Sequence, residues 1–160
     1  MRQISLDTNA MSNPALTSIL ISEFVHSYQE PGRGTPSLAL SFIVIPITMS
    51  RPILDSFGGT NRSTGLLTWL SRNPQFSLQM SAKVRSSREI TSEALSFGIA
   101  YGLLEITTGG SLKTASKRMK LTRQNMNEER MTMIKAARAL GAWASQLPDA
   151  MVFLSLGMIP

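Results

Sequence analysis

The segment from Thr91 to Lys120 constrains the fold more than any other part of the chain. Thr91–Tyr101 carries an amphipathic helix signal, Gly102 stops it, and Gly109-Gly110 divides two short strand-like runs. Leu104-Glu105-Ile106-Thr107 alternates and is rich in β-formers, the paired glycines suit a primed hairpin turn, and Ser111–Ala115 can pair back. Gly98 in mid-helix costs roughly 1 kcal/mol relative to Ala, which predicts close packing of another element against that face. Helix, tight exit and basic hairpin in this order predict the end of a winged-helix-like unit, spanning about residues 61–123. Units of that shape hold DNA or other proteins.

The rest of the chain reads as helix. Asn13-Pro14 is a cap followed by a favourable first residue, and Leu16, Ile19, Leu20, Phe24 and Tyr28 recur at helical spacing to about Gln29. Pro31-Gly32-Arg33-Gly34 ends that helix as a loop. Leu38–Met49 is apolar on both faces, so it is buried as helix or strand; Thr35-Pro36 as a start and Pro46 inside it favour a helix kinked or ended near Pro46. Ser50-Arg51-Pro52 opens a short turn or helix closed by Gly58-Gly59. Asn61 or Ser63 caps a helix holding Leu66, Leu67, Trp69 and Leu70, and Asn73-Pro74 starts another with Phe76, Met80 and Val84. Thr91 is the expected N-cap of the next. Asn127, with Glu128 and Glu129 behind it, caps the last long helix, and Leu147-Pro148-Asp149 separates it from a closing apolar helix over 150–156. The fold class expected is mainly α: one helical domain over residues 13–160 after a flexible 1–12, with a single short β-hairpin.

Charge and composition narrow the function. The net charge of +6 and a pI near 10.3 favour contact with nucleic acid or an acidic protein face. Charged residues make up only 16% of the chain, well below the usual quarter, which fits either a surface partly covered by a partner or an ordinary Ser- and Thr-rich domain. The chain has no cysteine, which excludes disulfides, Cys-ligated zinc and thiol catalysis and fits a cytoplasmic setting. Residues 1–11 lack the apolar centre of a signal peptide, and 38–49 falls short of the ~20 residues a spanning helix needs, so no membrane role is expected.

No catalytic constellation emerges, so no enzymatic activity, cofactor or metal is expected. His26, the one histidine, lies on the polar side of the first helix without a nucleophile elbow elsewhere. Gly109–Thr114 lacks the glycines that a phosphate loop places before its lysine. Glu128 and Glu129 are adjacent, point to different parts of a helix surface, and serve as helix-start charges. The candidate site is a basic cluster. Lys113, Lys117, Arg118, Lys120 and Arg123 place five of the sixteen cations within eleven positions, on or just after the expected wing. Lys83, Arg85 and Arg88 form a second patch. Both suit phosphate contact, and equally an acidic partner or a solvated face. The ten methionines, among them Met126, Met131, Met133, Met151 and Met158, suit either adaptable interfaces or core filling.

Several segments in order resemble a known family. They are Asn13-Pro14-Ala15-Leu16, then Phe42-Ile43-Val44-Ile45-Pro46-Ile47 leading to Arg51-Pro52, and Leu67-Thr68-Trp69-Leu70 before Asn73. Thr91–Gly98, Ala139-Leu140-Gly141-Ala142-Trp143, and Leu156-Gly157 before Ile159-Pro160 complete the series. Together they resemble the small middle component of three-component ABC-ATPase conflict systems, the group that includes Lamassu-type antiphage defence. The resemblance implies a non-catalytic adaptor. Its partners would be an SMC- or Rad50-like ABC ATPase that senses double-stranded DNA and an effector, often a nuclease, held inactive until DNA binding. Ser50, Ile53 and Met158 depart from the pattern usual in that group, which leaves the effector's type open. The rival readings from the residues are a stand-alone winged-helix DNA-binding regulator and an enzyme of unrecognised type.

Overall fold

The computed structural model describes residues 13–30, 32, 34–115 and 127–158. The expected flexible N-terminus 1–12, Pro31 and Arg33 of the first loop, Met126 and the Ile159-Pro160 ending lie outside them. Among the described residues there are eight α-helices, one 3₁₀ helix and one two-stranded antiparallel sheet. The expected class, mainly α with a single short hairpin, is the class observed.

Helix α1, Pro14–Gln29, is the hub. Asn13 caps it as the sequence predicts, its side-chain oxygen accepting from the N–H groups of Ala15 and Leu16 at 3.1 and 3.3 Å. The predicted stripe is only part of its buried surface. Ile21, Val25, Thr17, Ser18, Glu23 and Ser27 are buried as well, because other elements cover the helix on several sides. Full burial of a Leu, Ile, Val or Phe stabilises by about 1.5–3 kcal/mol, and Leu20, Ile21, Phe24 and Val25 are all fully buried. Thr17 and Ser18 satisfy their hydroxyls on carbonyls one turn back, which lets polar residues pack against neighbouring helices.

Residues 38–49 are helical and buried. A 3₁₀ helix over Ala39–Ile43 runs into α2, Val44–Thr48. Pro46 is the third residue of α2, where its missing N–H costs least, and the helix ends two residues later. Thr35-Pro36 does not start the helix. Pro36 accepts from the Leu112 N–H at 2.9 Å, and Ser37 forms a bridge with Ser111, so this stretch is a mate of the hairpin. Helix α3, Arg51–Asp55, follows with Pro52 in its first turn.

Helix α4, Leu66–Arg72, begins at Gly65 and not at Asn61 or Ser63. The Asn61 side chain instead accepts from Ser63 N–H in a local turn. Asn73 ends α4, donating to the Trp69 carbonyl at 2.9 Å, and α5, Phe76–Ser86, starts after Gln75. Helix α6, Arg88–Ala100, starts at Ser87, so Thr91 is an interior residue, not its cap. At these three starts, packing of the following apolar residues decides where the helix begins, and local cap chemistry is overridden.

Gly102 stops α6 as predicted. Its φ of +73° lets Leu103 N–H reach the Gly98 carbonyl and Gly102 N–H reach that of Ile99, a Schellman ending. Strand β1, Leu104–Ile106, then pairs with β2, Leu112–Thr114, in the register Leu104↔Thr114, Glu105↔Lys113 and Ile106↔Leu112. The turn is not the two-residue primed type. Thr107 N–H still bonds to the Ser111 carbonyl, leaving a three-residue loop in which Gly110 alone has positive φ. Gly98 packs closely as expected: a Cβ there would meet Leu104 Cδ1 at 3.0 Å and Ser18 Cβ at 3.6 Å.

Helix α7, Glu128–Ala144, is capped by Asn127, which accepts from Arg130 N–H at 2.8 Å. It lies along α1, and α6 covers another side of α1. Helices α1 and α7 approach closely at Gly141, where a Cβ would fall 2.3 Å from the Phe24 carbonyl oxygen. Trp143 of α7, Trp69 of α4, Phe57 and Phe76 form one aromatic cluster with ring centres 5.0–5.8 Å apart. Both indoles are satisfied, Trp69 donating to Ser56 Oγ and Trp143 to the Asn61 carbonyl, each at 2.9 Å. Helix α8, Asp149–Ser155, closes on α4 and ends in a second Schellman motif at Gly157.

Candidate functional site

The hairpin is a fixed projection. Gln29 at the end of α1 accepts from Thr114 N–H at 2.9 Å, and Thr35, Thr107 and Ser111 share hydroxyl contacts of 2.7–2.8 Å at its outer edge. Leu104 and Leu112 are buried beneath it, while Ile106 is half exposed. On its outward face Lys113 pairs across the strands with Glu105 at 3.1 Å. Both side chains are about half exposed, so the pair is worth at most about 1 kcal/mol and either residue can turn to a partner. Lys117, Arg118, Lys120 and Arg123, the rest of the predicted basic cluster, lie outside the described residues.

The second predicted patch sits at the α5–α6 junction. Arg85 and Arg88 are exposed there, whereas Lys83 is half buried and donates to Ser50 Oγ at 3.2 Å. Lys83, Ser50, Arg51, Ser86 and Ser87 line a cleft of about 230 Å³ against Pro46, Met49 and Pro52. Arg51 is partly neutralised by Glu129 at 3.1 Å, so one of the two predicted helix-start carboxylates is also an ion-pair partner. The hairpin follows the far end of α6 from this junction, and twelve residues of helix rise about 18 Å. Lys113 and the Lys83–Arg88 patch are therefore separate places on the fold.

Sequence reasoning missed two further features. One is a groove of about 570 Å³ over Leu54, Phe57, Ala136 and Ala139, rimmed by Arg62, Lys135 and Arg138. Arg62 is held by Glu30, and Arg138 by the buried Glu23 at 2.7 Å. The other is a set of exposed apolar side chains: Leu67 (52%), Leu78 (88%) and Leu154 (55%) on α4, α5 and α8, and Ile99, Tyr101 and Ile106 around the hairpin. Leu78 was detectable in the sequence, because it falls off the Phe76–Met80–Val84 stripe.

His26 is partly exposed and stands 3.4 Å from Glu30, a surface helix pair. Tyr28 is buried and donates to Asp149 at 3.3 Å; burial, with the Asp149 charge adding to it, pushes its pKa up to about 12. Asp149 also accepts from Ser37 N–H, so the pair ties α1, α8 and the hairpin's mate together. Thr91 is fully buried, and its hydroxyl has no partner among the described residues. No group of three or more His, Asp or Glu among the described residues could hold a metal. None of their helices is long and apolar enough to cross a membrane.

Compared with known proteins, the whole chain, residues 1–160, matches the family model described as ABC-three component (ABC-3C) system Middle Component 3. Neither the curated proteins nor the solved structures gave a match.

Proposed function

This chain belongs to the Middle Component 3 family of ABC-three component systems, and we propose that it is the non-catalytic adaptor of such a system. Its partners in general terms are an ABC ATPase and an effector. In the finer reading the ATPase is SMC- or Rad50-like and senses double-stranded DNA. The effector is a nuclease, held inactive by the complex until DNA is bound, in a Lamassu-type defence against phage or plasmid.

The observation that carries the proposal is the family match across residues 1–160. The surface supports it: Leu67, Leu78, Tyr101, Ile106 and Leu154 are each more than half exposed, an arrangement suited to contacts with other subunits. The element order supports a winged-helix-like reading of the hairpin. Helix α1, the Ser37 bridge, further helices, α6 and then the two strands follow one another, with Ser37 on the β2 side of the sheet, so such a unit would draw on residues ahead of the 61–123 expected from the sequence.

The test is co-expression with the proteins encoded beside this chain, followed by mass measurement of what co-purifies. A complex containing an ABC ATPase and an effector is expected. A lone monomer or dimer that binds DNA by itself, with affinity falling steeply in salt, would overturn the adaptor reading in favour of the stand-alone regulator.

A further inference from the structure

The chain has no carboxylate between Asp55 and Glu89, although Arg62, Arg72, Lys83, Arg85 and Arg88 all fall within that interval. This stretch contains α4 and α5, so their surface carries positive charge only. Arg72, Arg85 and Arg88 make no ion pair with any described residue. On α5 the buried side is Phe76 and Met80, and Leu78, Ala82 and Arg85 recur at i, i+4 and i+7 on the opposite, exposed side.

The helices beside α5 also carry exposed leucines. Ser77 donates to the Ser155 carbonyl at 3.0 Å, which seats the first turn of α5 against the end of α8, next to Leu154. Helix α4, which carries Leu67 and Arg72, also packs on α8. The one carboxylate of α8, Asp149, is engaged by Tyr28 and Ser37. The three exposed leucines thus stand on neighbouring helices, and Arg72 and Arg85 on two of those helices have no ion-pair partner among the described residues.

We propose that this α4–α5–α8 face is the docking site for an acidic amphipathic helix of a protein partner. Leu67, Leu78 and Leu154 would receive its apolar stripe, and Arg72 and Arg85 the carboxylates beside it. The proposal rests on the adaptor reading and specifies one contact within it. Duplex DNA fits this face less well. Phosphates are met by cations and hydrogen-bond donors, and a leucine that is 88% exposed gains little against a phosphate backbone. Against a protein helix, burying Leu78 recovers most of a leucine's transfer free energy.

The test uses the full chain co-expressed with its neighbouring gene products, as wild type, Leu78→Glu and the double variant Leu78→Glu/Arg85→Glu, with Ile99→Glu at the far end of α6 as control. All the substituted side chains are exposed, so folding, followed by circular dichroism, is expected to be retained. Retention of one partner should fall at least tenfold for Leu78→Glu, further for the double variant, and not for Ile99→Glu. Photo-cross-linking from position 78 should label a peptide of that partner rich in Asp and Glu. Undiminished retention in the double variant, while the wild type holds its partners, would overturn this site and leave the adaptor reading standing. A wild-type chain that retains no partner would overturn both. Loss of binding to a short duplex DNA, with protein partners retained, would also overturn the proposal and assign the face to nucleic acid.

Discussion

Replacing Gly141 with Ala tests the central helix crossing directly. The new Cβ would lie 2.3 Å from the Phe24 carbonyl oxygen and 3.1 Å from both Phe24 C and Ser27 Cβ. Carbon and carbonyl oxygen tolerate no less than about 3.3 Å, so α1 and α7 must part by about 1 Å. A gap of that size forfeits a quarter to a half of the dispersion well for each atom along the seam. Overpacking of a core costs about 1–3 kcal/mol, and a clash with backbone on a fully buried helix belongs at or above the top of that range. Ala is also the better helix former by about 1 kcal/mol, which offsets part of the loss. The net expectation is destabilisation by about 2–4 kcal/mol, or about 10 °C in Tm for a chain of this size. Gly98→Ala is the internal control. Its Cβ would meet the tip of the Leu104 side chain at 3.0 Å, which can rotate away, so its stability should stay within about 1 kcal/mol of wild type. Urea titration followed by the fluorescence of Trp143 and Trp69, both in the adjoining cluster, measures the two variants together. A Gly141→Ala midpoint at or above that of wild type would refute the close approach of α1 and α7.

Three other measurements probe single contacts. Thr91→Val keeps the shape of a fully buried residue and removes a hydroxyl without a partner among the described residues, so a gain of about 1 kcal/mol by thermal unfolding is expected. Tyr28 keeps its proton in the folded state up to about pH 12, against an ordinary value of 10.0. Its contribution is therefore complete below pH 10 and lost as pH rises from 10 to 12; Tyr28→Phe should flatten that fall by about 2–3 kcal/mol in urea titrations across the window. Asn13→Ala removes the side-chain acceptor for two N–H groups of α1 and should cost about 1 kcal/mol, read as a Tm lowered by about 2–4 °C.

Parts of this fold that depend on local chemistry were legible in the sequence. Asn13 and Asn127 are caps because their side chains reach N–H groups two or three residues on, and Gly102 ends α6 because only a left-handed residue permits that ending. What depends on distant contacts was not legible. Thr35–Ser37 follow an extended path because Ser111, far along the chain, pairs with them. Asn61, Ser63, Asn73 and Thr91 all have cap chemistry, but the apolar faces of α4, α5 and α6 dock best when those helices start elsewhere. The patch Lys83, Arg85 and Arg88 was readable as a charge cluster. The exposed Leu67 and Leu154 were not readable, because their exposure depends on how α4 meets α8.

The motifs that carry the family resemblance separate into body and surface when placed on the fold. Asn13–Leu16 starts the hub helix, and Ile43, Val44, Ile45 and Ile47 are fully buried beside it. Trp69 and Trp143 meet in one aromatic cluster, Gly98 and Gly141 admit close neighbours, and Gly157 completes the ending of α8. Each has a packing role that would exist in the isolated chain. Leu67 is different: it lies within the Leu67–Leu70 motif, yet it is 52% exposed. On the docking proposal, a covering partner gives Leu67 the burial that Trp69 and Leu70 obtain from the core. Leu67→Ser should therefore leave the midpoint of the isolated chain within about 0.5 kcal/mol of wild type while weakening the assembled complex. A loss of stability in the isolated chain would return Leu67 to the core and remove it from the docking face.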